Sequence, residues 1–252
     1  MLQLDSQPAR GRHRKLSVSL ATTKETIRAA QALRYKVFAE ELGARLSTRE
    51  PGLDIDLYDA WCDHLVVRDD ASNEVVGTYR ILPPSQALRL GSYYSESEFD
   101  LTRLQHLRAG MVELGRSCVH ADYRNGATIA LLWAGLAEYM QRNRCDYLVG
   151  CASISMADGG HMAASIYREL QQKSMSPVEW RVFPRCPLPL DALDGKQIVD
   201  IPPLLKGYLR LGAYVCGDPA WDPDFNTADV LVLLPLSRMN QRYARHFMHA
   251  EA

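Results

Sequence analysis

One run of the sequence, Met111-Val112-Glu113-Leu114-Gly115-Arg116-Ser117-Cys118-Val119-His120, sets a carboxylate and a guanidinium inside an otherwise apolar segment. The run predicts a long buried strand, and buried strands seldom carry Glu or Arg without a partner or a task. Residues three apart on a regular strand face opposite ways. A bulge at Leu114-Gly115 would bring Glu113 and Arg116 to one side, and glycine suits that position. The bulge would also splay the strand from its neighbour, leaving backbone N–H groups free to bind an acyl carbonyl and stabilise its oxyanion. The plainer alternative is a structural Glu113–Arg116 ion pair.

Directly after this strand comes Ala121-Asp122-Tyr123-Arg124-Asn125-Gly126-Ala127-Thr128, a small-residue turn leading into a strong helix. Amides and the positive dipole end of a helix N-terminus suit a phosphate, although many strand-to-helix turns share this composition. Upstream, the acidic run Asp54, Asp56, Asp59 offers spare negative charge for a cationic amine, or else serves turns and caps. An EF-hand would continue with Gly and a late Glu. Leu57 and Tyr58 stand here instead, so no metal is expected. Arg80 is expected to pair with one of these acids or with Glu113, and it could also meet a substrate carboxylate.

The elements that must position these residues follow from periodicity and breakers. Leu16–Ala21 alternates like a short strand. Thr23 can cap a helix over about 24–42 that ends at Gly43, with Ile27, Ala30, Leu33, Val37 and Leu42 as its apolar stripe. Strands are expected at about His64–Asp69 and Glu74–Leu82, the second stopped by Pro83-Pro84. Residues 84–109 read as irregular with short helical pieces. Beyond the central strand, the sequence predicts a helix over Ala127–Asn143, a strand over Tyr147–Ala152 and a helix over Gly159–Gln172. A strand near 180–183, a helix from Pro202 to about Leu211, a strand at 230–234 and a last helix from about Ser237 complete the pattern. Early hairpins and late crossovers make a mixed α/β sheet with helices on both faces. We expect one domain over 16–252 behind a basic, flexible segment 1–15.

The 252 residues carry a formal net charge of -1, and a nucleic-acid binder would usually be basic. Local basic patches at Arg10–Lys15 and Arg238–His249 read as solvated termini or as attraction to anionic lipid heads. The six cysteines form no CxxC pair and no zinc spacing, which points to a reducing compartment. No apolar signal core stands at the N-terminus. No run is long enough to span a bilayer. The expected location is therefore cytoplasmic, with peripheral contact to the cytoplasmic membrane left open. Trp133 and Tyr139 read as core residues. No nucleophile elbow, dinucleotide fingerprint or P-loop is present.

The bulged strand and its loop resemble the GNAT N-acetyltransferase fold, a mostly antiparallel central sheet in which that loop holds the pyrophosphate or phosphopantetheine of a thioester donor. The family's loop pattern is Gln/Arg-x-x-Gly-x-Gly/Ala. Here Arg124 fills the first place, while Ala127 and Ile129 stand at the later ones. This departure favours a carrier-protein phosphopantetheine, held by Arg124, Asn125, Gly126, Ala127 and Thr128, over coenzyme A. The N-terminal half resembles acyl-homoserine-lactone synthases through Arg34-x-x-x-Phe38, Asp54-x-Asp56-x-x-Asp59, Val76-Gly77-Thr78-Tyr79-Arg80 and Glu113-x-x-Arg116. In that family these residues line the site where an amine meets an acyl-carrier thioester.

From about Arg34 to Arg245 the chain is still more similar to the ornithine N-acyltransferases of bacterial ornithine-lipid synthesis, often labelled hemolysin-like. Supporting strings include Tyr94-Ser95-Glu96-Ser97-Glu98-Phe99-Asp100-Leu101, Pro202-Pro203-Leu204-Leu205-Lys206-Gly207-Tyr208 and Asp224-Phe225-Asn226-Thr227-Ala228-Asp229-Val230. The resemblance implies that a 3-hydroxyacyl group leaves acyl carrier protein for the α-amine of ornithine, with no bound cofactor. Arg34, Phe38, Asp54, Asp56, Asp59 and Arg80 would line the acceptor site, and Glu113 with Arg116 would be catalytic. The amine arrives protonated, and Glu113 is the best-placed general base, directly or through water. Burial would raise its pKa and Arg116 would lower it, so no direction follows. Two rivals remain. One is the same chemistry on another amine, such as S-adenosylmethionine. The other is a non-catalytic membrane-active protein.

Overall fold

The computed structural model describes residues 15–239. The basic segment before Lys15 and the tail after Met239 lie outside the described residues, and with them most of the predicted last helix, whose start falls in a short turn over Leu236–Arg238. In chain order the strands are β1 (Leu16–Leu20), β2 (Asp63–Asp69), β3 (Val75–Leu82), β4 (Phe99–Asp100), β5 (Met111–Val119), β6 (Tyr147–Ser155), β7 (Phe183–Pro184), β8 (Tyr214–Val215), β9 (Ala220–Asp222) and β10 (Thr227–Pro235). The helices are α1 (Lys24–Tyr35), α2 (Pro84–Leu90), α3 (Ala127–Arg142), α4 (His161–Lys173) and α5 (Pro203–Leu211).

The main sheet has the order β1-β2-β3-β5-β6-β10-β8, with β9 also on β10, and β4 pairs β7 in a separate ribbon. Its pairings are antiparallel except β5–β6. Alternation along the strands gives the sheet two apolar faces. On β10, Val230, Val232 and Leu234 belong to the core beneath α3, α4 and α5, whereas Leu231 and Leu233 face the core built by α2 and residues 93–107. Helix α1 covers Val66, Val75 and Cys118. This is the mixed, mostly antiparallel GNAT-like sheet with helices on both faces that the sequence predicts.

Local chemistry explains most boundaries. Thr23 accepts from the Thr26 N–H and caps α1, as expected of a threonine at that place. The helix does not run regularly to 42. It continues as a π-helical segment over Lys36–Glu41 before Gly43 turns at φ 75°. That change of pitch takes Leu42 off the buried stripe, leaving it 67% exposed. The strand predicted near 180–183 is reduced to β7, because the residues before it form a turn over Val178–Trp180.

Candidate active site

Between β5 and β6 the parallel ladder lasts only from Met111↔Tyr147 to Glu113↔Val149. Beyond it the strands part around a cavity of about 290 Å³. A side chain at position 150 would stand 2.3 Å from the Leu114 carbonyl, so Gly150 lets the strands touch just before they separate. Gly115, Arg116 and Ser117 line one wall and Cys151, Ala152 and Ser153 the other.

The bulge lies just beyond its predicted place. Arg80 pairs with Gly115 and Thr78 with Cys118, so β5 carries one residue more than β3 over this interval. The left-handed residue is Arg116, at φ 46°, and not Gly115. A non-glycine residue held there carries about 1–3 kcal/mol of strain. The turn aims the Arg116 guanidinium at the rings of Phe225 (4.6 Å) and Tyr94 (4.9 Å) and toward Asp54 (3.3 Å) and Asp56 (3.5 Å). Burial opposes its charge, but Tyr94, Asp54 and Asp56 outweigh that and hold its pKa above the ordinary value.

The alternative of a Glu113–Arg116 ion pair is thereby overturned. Glu113 is clamped by the 94–95 turn instead. Its Oε2 accepts from the Tyr94 N–H (2.7 Å), and its Oε1 accepts from the Ser95 N–H (2.7 Å) and the Ser95 hydroxyl (2.5 Å). Burial pushes its pKa up, and the Ser95 and Tyr94 hydrogen bonds only partly offset this.

The acidic run needs a larger correction, because it holds no spare charge. Arg34, with no exposed surface, donates to Asp54 (2.8 Å) and Asp59 (2.7 Å) and also to the Asp54 carbonyl. Asp56 caps the turn over Leu57–Trp61 and meets Arg80 at 2.6 Å. Burial raises the Asp56 pKa, but Arg80 and then Arg116 lower it further and prevail. Arg34, Asp54, Asp56 and Asp59 thus form an internal lattice behind the cavity wall. Phe38, Arg80, Glu113 and Arg116 line the cavity itself.

In the loop after β5, Arg124 donates to the Val119 carbonyl (3.0 Å) and pairs with Glu41 at 2.5 Å. Asn125 Oδ1 accepts from the Ala127 N–H (3.1 Å), and Gly126 turns at φ 89°. The Thr128 side chain is buried, bonded to the Tyr123 carbonyl and packed on Gly77. What it can offer a phosphate is its backbone N–H.

Sequence reasoning passed over the Tyr58 and Tyr94 rings, which flank Arg80 at 5.7 and 5.6 Å, and Ser95, Glu98, Cys151 and Asp229. The signal for Asp229 was an acid within an apolar strand run. His64 and His120 are outside the cavity lining, and the Tyr139 hydroxyl is bonded to Asp63. The six cysteines are free. Among the described residues no helix is long and apolar enough to cross a membrane.

A model of the Acetyltransferase (GNAT) domain matches residues 33–134. Among solved structures, the CoA-dependent acyl-homoserine lactone synthase BjaI, with SAM and isopentyl-CoA, aligns over 93% of this chain and 90% of its own at 16% identity and TM-score 0.53. The N-acyl amino acid synthase FeeM aligns over 88% and 93% at 13% identity and TM-score 0.51. These likenesses concern the fold. Sequence relatives go further. The L-ornithine N(alpha)-acyltransferase of Brucella abortus is 37% identical over 94% of this chain and 90% of its own. That of Rhizobium meliloti is 39% identical over 94% and 86%. With this identity running through nearly the whole length of each relative, the chain is an acyltransferase and belongs to the L-ornithine N(alpha)-acyltransferase family.

Proposed function

We propose that this protein transfers a 3-hydroxyacyl group from the phosphopantetheine thioester of acyl carrier protein to the α-amine of L-ornithine. The observation that carries the reading is identity of 36–39% to four L-ornithine N(alpha)-acyltransferases over more than nine-tenths of the chain.

The cavity suits the chemistry. The α-ammonium loses a proton to Glu113, directly or through water, and its nitrogen attacks the thioester carbonyl. A C–N bond forms, negative charge collects on the oxygen, and the C–S bond breaks to release a thiolate, which becomes a thiol by taking up the second proton that the nitrogen loses. The parted backbones of Gly115–Ser117 and Cys151–Ser153 line the space where that oxygen develops charge, where fixed N–H donors act most strongly. Arg80 and Arg116 stand near for the acceptor carboxylate. The loop Arg124–Thr128 presents the start of α3 to the donor's single phosphate. This domain, over 16–252, would work in the cytoplasm at the membrane face where lipid is made.

The test is an acceptor panel. Purified protein with 3-hydroxyacyl carrier protein is offered ornithine, other amino acids and S-adenosylmethionine, and products are followed by mass spectrometry. Ornithine amide as the main product is expected. Amide from another amine and none from ornithine would sink the assignment. Acyl-coenzyme A serving equally well would sink the carrier-protein half alone.

A further inference from the structure

Behind Cys151 the cavity has an acidic corner that the mechanism above does not use. Asp229, on β10, lines the cavity and is 4% exposed. Glu98 follows the 94–97 turn. One ligand atom each from Glu98, Cys151 and Asp229 falls within 4.8 Å of the others. Both Glu98 carboxylate oxygens, Asp229 Oδ1 and the neighbouring Thr227 Oγ1 are buried without a hydrogen-bond partner.

This sets the corner apart from the other buried acids. Asp54 and Asp59 face Arg34, Asp69 accepts from the Tyr123 hydroxyl, and Glu113 has three donors. Among the described residues, no cation pairs with Glu98 or Asp229. A buried carboxylate without a cation is costly even where the Thr227 and Ser153 hydroxyls act on it, as they do on Asp229, and an arriving cation would relieve the pair. The pair eases its own repulsion by holding a proton. Burial, Asp229 and Asp222 push the Glu98 carboxyl up to about 9.

The corner also lies beside the reacting end. The Ser95 hydroxyl that donates to Glu113 is 3.4 Å from Cys151 Sγ. A group held by Glu98 and Asp229 is therefore one side chain away from the Glu113 clamp. Burial, followed by the Glu98 and Asp229 charges, holds the Cys151 thiol well above its ordinary pKa. The unmet carboxylate oxygens are those of Glu98 and Asp229, and an alkylammonium brings N–H donors to meet them, so the pair reads as a cage for an organic cation.

We infer that Glu98 and Asp229 form the subsite for the acceptor's side-chain ammonium, selecting a diamino acid and setting which of its two amines reaches Glu113. The inference rests on ornithine being the acceptor. Glu98→Gln and Asp229→Asn are to be assayed with ornithine and with 2-aminopentanoate, the same chain without the second amine. KM for ornithine is expected to rise at least about tenfold, the scale of a lost charged hydrogen bond. The kcat/KM for 2-aminopentanoate, already low in wild type, should stay within about twofold. Both variants should also melt above wild type at pH 8, because a carboxyl whose folded pKa is raised is at its most stabilising below the ordinary pKa and loses that contribution as pH rises toward 9. Parallel losses on both acceptors, or unchanged KM for ornithine, would overturn the subsite. So would loss of activity on chelation with recovery on adding zinc. If wild type refuses ornithine, the functional assignment fails separately. The subsite then stands only if the accepted amine has a second cationic group whose removal abolishes the effect of the variants.

Discussion

Glu113→Gln isolates what the clamped carboxylate does. A carboxylate only accepts, and here its two oxygens take the Tyr94 N–H, the Ser95 N–H and the Ser95 hydroxyl. An amide has one oxygen and one NH2. The best placement keeps the oxygen on Ser95 and turns the NH2 against the Tyr94 N–H, leaving a buried donor unmet at about 1–3 kcal/mol. For a chain of this size that is about 2–12 °C in Tm. An opposing effect has a definite pH sign. Because burial raises the Glu113 pKa, its contribution is fully present below the ordinary carboxylate pKa and erodes as pH rises through the raised value. Glutamine has no such erosion. The Tm deficit of the variant should therefore be greatest near pH 4 and shrink toward pH 8. Turnover should fall about 10²-fold or more through loss of the base. Ser95→Ala, which removes one of the three donors but keeps the carboxylate, should lose less than about tenfold. Scanning calorimetry across pH and thiol release at saturating ornithine are the two readouts. Turnover of Glu113→Gln within about threefold of wild type would remove Glu113 from proton transfer. A Tm deficit that grows with pH would refute the account of the clamp.

Three further outcomes follow from the lattice and the loop. Arg34→Ala leaves Asp54 and Asp59 short of a cation they meet at 2.8 and 2.7 Å, a loss of about 3–5 kcal/mol. Calorimetry should show a Tm drop of about 6–20 °C, and a drop under 2 °C by the same scale would contradict a buried lattice. Arg116→Gly and Arg116→Ala remove the same guanidinium, but only glycine accepts φ 46° freely. The glycine variant should be the more stable by about 1–2 kcal/mol, and equal chemical-denaturation midpoints would mean the bulge relaxes in the alanine variant. Arg124→Glu places a like charge beside Glu41 at the donor loop. It should raise KM for carrier protein more than it lowers kcat, with wild-type KM itself rising with salt. A salt-independent KM would argue against docking there.

The strands, α3 and the bulged β5 were legible because each depends on local signals: an apolar run, a cap, a breaker. The role of Asp54, Asp56 and Asp59 was not. Their neutralising partners, Arg34, Arg80 and Arg116, come from three separate elements, and a short acidic run looks the same whether it is solvated or locked. Arg116 shows the same limit at one residue. Glycine beside it was the natural choice for the left-handed position, but contacts to Phe225 and Asp54, supplied by distant segments, hold the arginine there instead. Glu98 and Asp229 meet only because the turn after Tyr94 folds over β6 where β10 pairs with it. Each residue taken alone is an ordinary acid.

Charge and hydrogen bonding together narrow the acceptor further. Arg34, Arg80 and Arg116 are matched by Asp54, Asp56 and Asp59, three cations against three anions, so this lattice presents little net field. The other acids lining the cavity are Glu113, Asp222 and Asp229, with Glu98 beside Asp229, so any surplus there is negative. A protonated diamino acid, with two ammonium groups and one carboxylate, meets that surplus. So does S-adenosylmethionine, whose sulfonium gives it the same net charge. Hydrogen bonding separates the two. The acidic corner has three acceptor atoms on Glu98 and Asp229 without donors, and an alkylammonium brings three N–H groups, whereas a sulfonium brings none. Seating a sulfonium there would leave those oxygens unmet, a penalty of about 1–3 kcal/mol for each buried polar group. Wild type should therefore bind ornithine far more tightly than S-adenosylmethionine. Asp229→Asn should narrow the gap by weakening ornithine alone, as read from competition between the two for the same thioester. An unchanged ratio in the variant would mean the corner takes no part in choosing the amine.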